Sequence, residues 1–210
     1  MAATTRSERA FTLIELLVVI CILSILIALS VAGVGVGINV SRANSTEAML
    51  HDLSAAVVVY QTKWGDYPPT SIDEVGGRAP NDLNAGIESL VACLSSKKKG
   101  GPFFQKDEFL SNFDGDSAAR NVTDSYFKTL ELFEYKDHFD HPIIYFHHKD
   151  YEKPRPGLIR YKTGEAGDAI EVGPELHPTT KAPMNAGRFQ LRSLGRDGKP
   201  GTADDLRAGQ

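Results

Sequence analysis

The chain has 210 residues, 41% hydrophobic and 24% charged, with a net charge of −4. This is the composition of a folded protein, which excludes a disordered one, and its acidic balance gives no electrostatic basis for binding nucleic acid. Two cysteines exclude a disulfide framework.

The first element is a stem. Arg6 and Arg9 precede a run of 25 residues, Leu16–Val40, whose one ionisable group is the thiol of Cys21. The run exceeds the ~20 residues that cross a bilayer as a helix. It is also longer than the 7–15-residue core of a cleaved secretory signal. It reads as a single transmembrane span with the N-terminus in the cytoplasm and the bulk outside, a bias that Arg42 weakens slightly. Gly33, Gly35 and Gly37 are expected to loosen the helix late in the run. Glu15 stands at the entrance to the apolar stretch, where a carboxylate is costly and marks a function. The plainer reading is a helix-start charge favoured by the dipole. Beyond the run, Met49, Leu50, Leu53, Ala56, Val57 and Tyr60 form one apolar stripe at helical spacing. Trp64-Gly65-Asp66, Pro68 and Pro69 end it, so Leu13–Lys63 is expected as one helix of roughly 75 Å.

The segment RAFTLIELL (9–17) resembles the processing and assembly motif of type IV pilins and type II secretion pseudopilins. The resemblance implies cleavage between Ala10 and Phe11, methylation of the new Phe11 amine, and Glu15 as the fifth mature residue. It departs from the family in having Ala10 where Gly is usual; a small residue should still fit the peptidase. It also implies a role for Glu15: pairing with the Phe11 amine of a neighbouring subunit, which removes two unfavourable charges and sets the axial register.

After the helix, Gln61–Val75 resembles the family's Gly-x-Tyr-Pro helix exit, with Gly65 for the tight turn, Tyr67 able to pack back on the helix and Pro68 as stop. Residues 82–95 place Leu83, Ile87, Leu90, Val91 and Leu94 on one face of a short second helix. Lys97–Gly101 reads as a solvated basic turn. Residues 102–135 show no period; within them Phe-Asp-Gly-Asp (113–116) reads as a turn, with a cation site as the alternative. Asn121-Val122-Thr123 matches a glycosylation triplet and is read as chance. Lys136–Phe146 resembles a major-pseudopilin segment, with Asp137, Pro142 and Tyr145 at matching positions and Phe139 where Trp is usual. Strands are expected at Ile143–His147, Leu158–Lys162 and Gly187–Ser193.

The tail, SLGRDGKPGTADDL (193–206), sets three carboxylates around three glycines. Calcium takes six to eight hard oxygens from carboxylates and carbonyls, and glycines let carbonyls turn inward. The tail resembles the calcium loop that closes major pseudopilins, though shorter between its acidic ends. The resemblance implies carboxylates from Asp197, Asp204 and Asp205 and carbonyls from Leu194 and Thr202, holding Ca2+; an acidic surface turn is the alternative.

An enzyme reading rests on His138, His141, His147 and His148 with Asp137, Asp140 and Asp150. No fixed metal-ligand spacing appears, and on a strand His147 and His148 would face opposite ways, so no catalytic residues are assigned. A plain anchored binding module would leave Glu15 and the leader unexplained.

The expectation is an α+β, pilin-like chain in which one long N-terminal helix packs its amphipathic half on a small antiparallel sheet. Residues 1–10 are a leader, 11–40 the transmembrane and assembly helix, and 41–210 a periplasmic globular domain. The resemblance implies a subunit of a helical pseudopilus in the bacterial inner membrane, serving protein export by type II secretion. Its partners would be copies of itself, minor pseudopilins, the inner-membrane assembly platform and the prepilin peptidase. A surface type IV pilin is the alternative.

Overall fold

The computed structural model describes residues 11–78, 81–120, 129–154, 156–163 and 168–208; of 29–34 and 75 it describes the backbone alone. The leader, Ala10 and the Asn121–Thr123 triplet lie outside the described residues. The protein is α+β, and the chain divides into two compact units, residues 1–41 and 42–210.

Helix α1 spans Leu13–Trp64 and ends where the sequence places its stop, with Gly65 at φ +83° donating its N–H to the Gln61 carbonyl. The helix runs unbroken through Gly33, Gly35 and Gly37. A glycine costs about 1 kcal/mol relative to alanine in a helix, which weakens a long helix without breaking it.

In the first unit the described side chains from Phe11 to Ala28 are all exposed. Among the described residues no helix is long and apolar enough to cross a membrane.

In the second unit the α1 stripe is buried as expected: Met49, Leu50, Leu53, Ala56, Val57 and Tyr60 all join the core. Each large aliphatic side chain so buried contributes about 1.5–3 kcal/mol. Helix α2 is Ala85–Ser95, begun by Asn84 in the left-handed region at φ 49°. It was expected to show one apolar face from residue 82, but it starts later and all eleven residues are buried. Small residues explain this. Gly86 lies against the Tyr145 backbone, Ser89 donates to the Pro69 carbonyl at 2.6 Å, and Ala92 packs with Ile72, Ala118 and Leu132. At Gly86 an added Cβ would lie 2.5 Å from the Tyr145 carbonyl oxygen.

In place of one sheet there are, among the described residues, three small antiparallel ones. Strands β1 (Leu110–Ser111) and β2 (Glu134–Tyr135) form the first. The second has order β3-β6-β7, from β3 (Ile144–His147), β6 (Phe189–Ser193) and β7 (Leu206–Arg207). The third pairs β4 (Arg160–Lys162) with β5 (Ala169–Glu171). Strand β4 is shorter than the run expected from Leu158, because Pro156–Ile159 form a helical turn, α3, that buries Leu158. Strand β6 likewise starts at Phe189, two residues late, because Gly187 at φ +77° belongs to the preceding turn. The register Ile144↔Arg192 through His147↔Phe189 joins the two strands that the sequence marks most clearly.

The basic turn Lys97–Gly101 is stitched to the end of α1 rather than merely solvated. Trp64 Nε1 donates to the Lys99 carbonyl at 2.9 Å, and the Lys99 ammonium lies 4.6 Å from the Trp64 ring centroid. Tyr67 packs edge-on against Phe189, 5.0 Å between centroids, and so reaches the end of the β3–β6 pair.

Candidate functional site

The stem presents two chemistries. Phe11 is 74% exposed and Leu13 81%, an apolar surface that the other described residues leave uncovered. Thr12 and Glu15 close a capping box: Glu15 Oε2 accepts from Thr12 N at 2.9 Å and Thr12 Oγ1 at 2.7 Å, and Glu15 N donates to Thr12 Oγ1 at 3.3 Å. The box explains locally why the helix begins where it does, since Thr-x-x-Glu satisfies N–H groups that no turn precedes. It occupies one carboxylate oxygen, Oε2, and leaves Oε1 outside the box.

In the globular unit, the three segments singled out by the sequence converge. Asp137, buried, accepts from Phe139 N at 2.7 Å and His141 N at 3.0 Å, folding 137–141 into a tight loop. Its other oxygen accepts from the Ser193 hydroxyl, and Ser193 Oγ accepts from Gly195 N at 2.9 Å. His141 Nδ1 donates to the Gly195 carbonyl at 2.9 Å. Tyr145, buried on β3, donates its hydroxyl to the Pro68 carbonyl at 2.7 Å, which fixes the helix exit. Burial pushes the Asp137 carboxyl up against the pull of these donors.

The C-terminal loop starts from this anchor. Leu194 is buried and Asp197 exposed. Asp204 Oδ2 accepts from Arg196 N at 2.7 Å and Asp197 N at 3.1 Å, and its Oδ1 accepts from the Thr202 hydroxyl at 2.6 Å. These donors, the Thr202 hydroxyl first, hold the Asp204 pKa below the ordinary value. Asp205 Oδ2 accepts from Gly201 N at 2.8 Å, while its Oδ1 is shielded and has no hydrogen-bond partner. Gly195, Gly198 and Gly201 take φ of +62°, +64° and +81°, the conformation that favours glycine. At Gly195 a Cβ would meet the Asp204 carbonyl oxygen at 2.1 Å. The orphaned Asp205 oxygen fits a hard cation, whereas Asp204 spends its oxygens on two N–H groups and the Thr202 hydroxyl, and the Thr202 carbonyl accepts from Asp205 N at 3.4 Å.

Among the described residues, the acid and histidine groups whose ligand atoms lie within 4.8 Å of one another are elsewhere: Asp66 with His147 and His148, and Glu88 with Asp114 and Asp116. The histidines do not gather as one centre. His141 belongs to the loop anchor, and His138 packs on Phe109, 4.6 Å between centroids. His147 and His148 stack at 4.3 Å, against the expectation that they face apart. Strand β3 ends at His147, and the 3-10 turn His148–Asp150 swings the next ring round. Asp66 receives His147 Nε2 at 3.1 Å and is also paired by Lys149. Burial raises the Asp66 pKa, but these donors outweigh it and hold it at about 2. With Lys149 already neutralising that carboxylate, the group is a salt-bridged cluster rather than a metal centre. Sequence reading missed Asp66, Glu88 and the anchoring role of Asp137, because each partner lies 50 or more residues away or carries no metal-site spacing.

The model of the prokaryotic N-terminal methylation motif matches residues 5–31. The match covers the stem and supports the type IV pilin and pseudopilin family, and with it a structural subunit made through prepilin-type processing. No curated protein and no solved structure matches the chain.

Proposed function

We propose that this chain is a subunit of a helical fibre, nearest to the major pseudopilin of type II secretion. It would be made as a single-pass inner-membrane precursor with the globular unit in the periplasm, cut between Ala10 and Phe11, N-methylated and polymerised through its stem. The observation that carries the reading is the methylation motif over residues 5–31, on a stem whose described side chains from Phe11 to Ala28 are all exposed. Lipid covers such a surface before assembly and neighbouring helices cover it afterwards. Glu15 uses Oε2 for its own helix start, so Oε1 is the oxygen that would meet the amine of a neighbouring Phe11. Minor pseudopilins, the assembly platform and the prepilin peptidase are the partners this reading requires.

The C-terminal loop would hold calcium through Asp197, Asp204 and Asp205 with carbonyls of Leu194 and Thr202. The orphaned Asp205 Oδ1 supports this. Bound calcium would supply a charge that lets the acidic loop close; the chain's own Asp137, Ser193 and His141 seat the loop against β3 and β6.

Deleting the gene tests the function. Lost export of secreted proteins with twitching intact supports the pseudopilin, and lost surface fibres with intact export indicate a type IV pilin instead. No effect on either would overturn the fibre-subunit reading.

A further inference from the structure

The second acidic group lies away from the C-terminal loop, on α2. Glu88 sits in the middle of that helix and is 2% exposed, yet its Oε1 has no hydrogen-bond partner. Asp114 Oδ1 and Asp116 Oδ1 are likewise shielded and unpartnered. A ligand oxygen from each of the three lies within 4.8 Å of the others. The remaining oxygens of the two aspartates are held: Asn81 Nδ2 donates to Asp114 Oδ2 at 2.7 Å and to Asp116 Oδ2 at 2.9 Å. The turn that presents them is fixed from within. Asn112 Oδ1 accepts from Gly115 N at 2.8 Å and Asp116 N at 3.1 Å, and Asn112 Nδ2 donates to the Asp116 carbonyl at 2.8 Å.

Behind the turn, Glu134 is buried but satisfied, by Asn84 Nδ2 at 2.8 Å and Phe113 N at 3.1 Å. It therefore positions the turn and adds a fourth carboxyl group to the cluster. Among the described residues no lysine or arginine pairs with Glu88, Asp114 or Asp116. Such a group must either take up protons or hold a cation, because buried like charges without partners are strongly unfavourable. Burial and the neighbouring carboxylates push Glu88 well up, Asp116 to about 7 and Glu134 to about 8. A single proton bridges only two of the three shielded oxygens, whereas one cation can be met by all three.

We propose that Glu88, Asp114 and Asp116 form a binding site for a hard divalent cation, calcium, independent of the C-terminal loop. The donor set is all oxygen, with neither histidine nor thiol, which suits calcium over zinc or copper. Calcium also tolerates irregular geometry, where magnesium demands a near-octahedral shell. The ion would tie the centre of α2 to the 112–116 turn. The Phe-Asp-Gly-Asp segment is then more than a turn: it brings two carboxylates to a third that α2 hides.

The test is calorimetric titration of CaCl2 into the full-length chain, stripped with chelator and held in detergent. An Asp204→Ala, Asp205→Ala background removes carboxylates of the C-terminal loop. That background should still bind one calcium equivalent. Adding Glu88→Gln with Asp116→Asn, near-isosteric changes, should weaken this binding at least tenfold. Asp114→Asn on the half-buried turn is a second variant, with circular dichroism to confirm that α2 and the fold persist. A background variant that binds no calcium would overturn the proposal, as would binding unchanged by Asp114→Asn.

Discussion

The anchor between the 137–141 loop and the C-terminal loop makes a quantitative prediction. Asp137→Ala removes the acceptor for Phe139 N, His141 N and the Ser193 hydroxyl at once. Each buried donor left without a partner costs roughly 1–3 kcal/mol. Phe139 and His141 are only partly buried, so water should recover some of this. The net loss is about 3–5 kcal/mol, a large share of the ~5–15 kcal/mol of a typical domain. For a unit of this size that corresponds to a fall in Tm of roughly 6–20 °C. Asp137→Asn keeps one carbonyl acceptor, offers an amide to Ser193 Oγ and relieves a buried charge, so it should cost less than about 1.5 kcal/mol. The chain has one tryptophan, Trp64, seated at the junction of α1 and the 97–101 turn, and its fluorescence reports unfolding in a urea series. A loss below ~1 kcal/mol for the alanine variant, or equal losses for both variants, would refute the reasoning.

Processing is checked by mass spectrometry of membrane-extracted protein, which should show an N-methylated Phe11 terminus in cells with an active prepilin peptidase; a start at Met1 or Ala2 would sink the family reading. Gly86→Ala should cost about 1–3 kcal/mol, because its Cβ would stand 2.5 Å from the Tyr145 carbonyl and α2 must move off β3; unchanged urea midpoints would show that the contact yields freely. Removing the C-terminal loop's carboxylates with Asp204→Ala and Asp205→Ala should abolish the loop's share of the calcium-dependent stabilisation, about 2.7 kcal/mol at a hundredfold excess over Kd and read as a rise in melting temperature, while changing His138, His147 and His148 to Gln should not. A double variant with the full wild-type rise would reduce that loop to an acidic turn.

The elements legible in the sequence were those whose period is long or whose partners are near. The α1 stripe from Met49 to Tyr60, its stop at Trp64, and strands β3 and β6 all fall where periodicity and turn residues place them. Strands β1, β2 and β7 are two residues long, too short to show alternation, and owe their existence to the partner across the sheet. Helix α2 was legible as a helix but not as a buried one, because Glu88 reads as a solvent-facing charge until Asp114 and Asp116 are seen beside it. The site residues divide in the same way. The cleavage motif and the acidic tail are contiguous and readable, whereas Asp137 to Ser193 and Asp66 to His147 are pairs that only the fold brings together.

Glu15 shows how far a local motif can carry two meanings, and it gives the sharpest test of the stem. Thr12-x-x-Glu15 is a complete capping box, so a carboxylate there needs no partner subunit to be explained. The two roles differ in what they demand chemically. A capping box works with a neutral amide, since Gln at the same position accepts the same N–H; neutralising an ammonium requires the charge. Glu15→Gln should therefore keep the helix start intact by circular dichroism yet lower fibre yield, and Glu15→Val should lose both the cap and assembly. Membrane insertion should be retained or improved in both, because a charge has left an apolar helix. Yield is read as pelletable fibre against total membrane-inserted chain. Normal fibres from Glu15→Gln would leave capping as the whole role of this residue, and the axial register would then have to come from the exposed apolar surface alone.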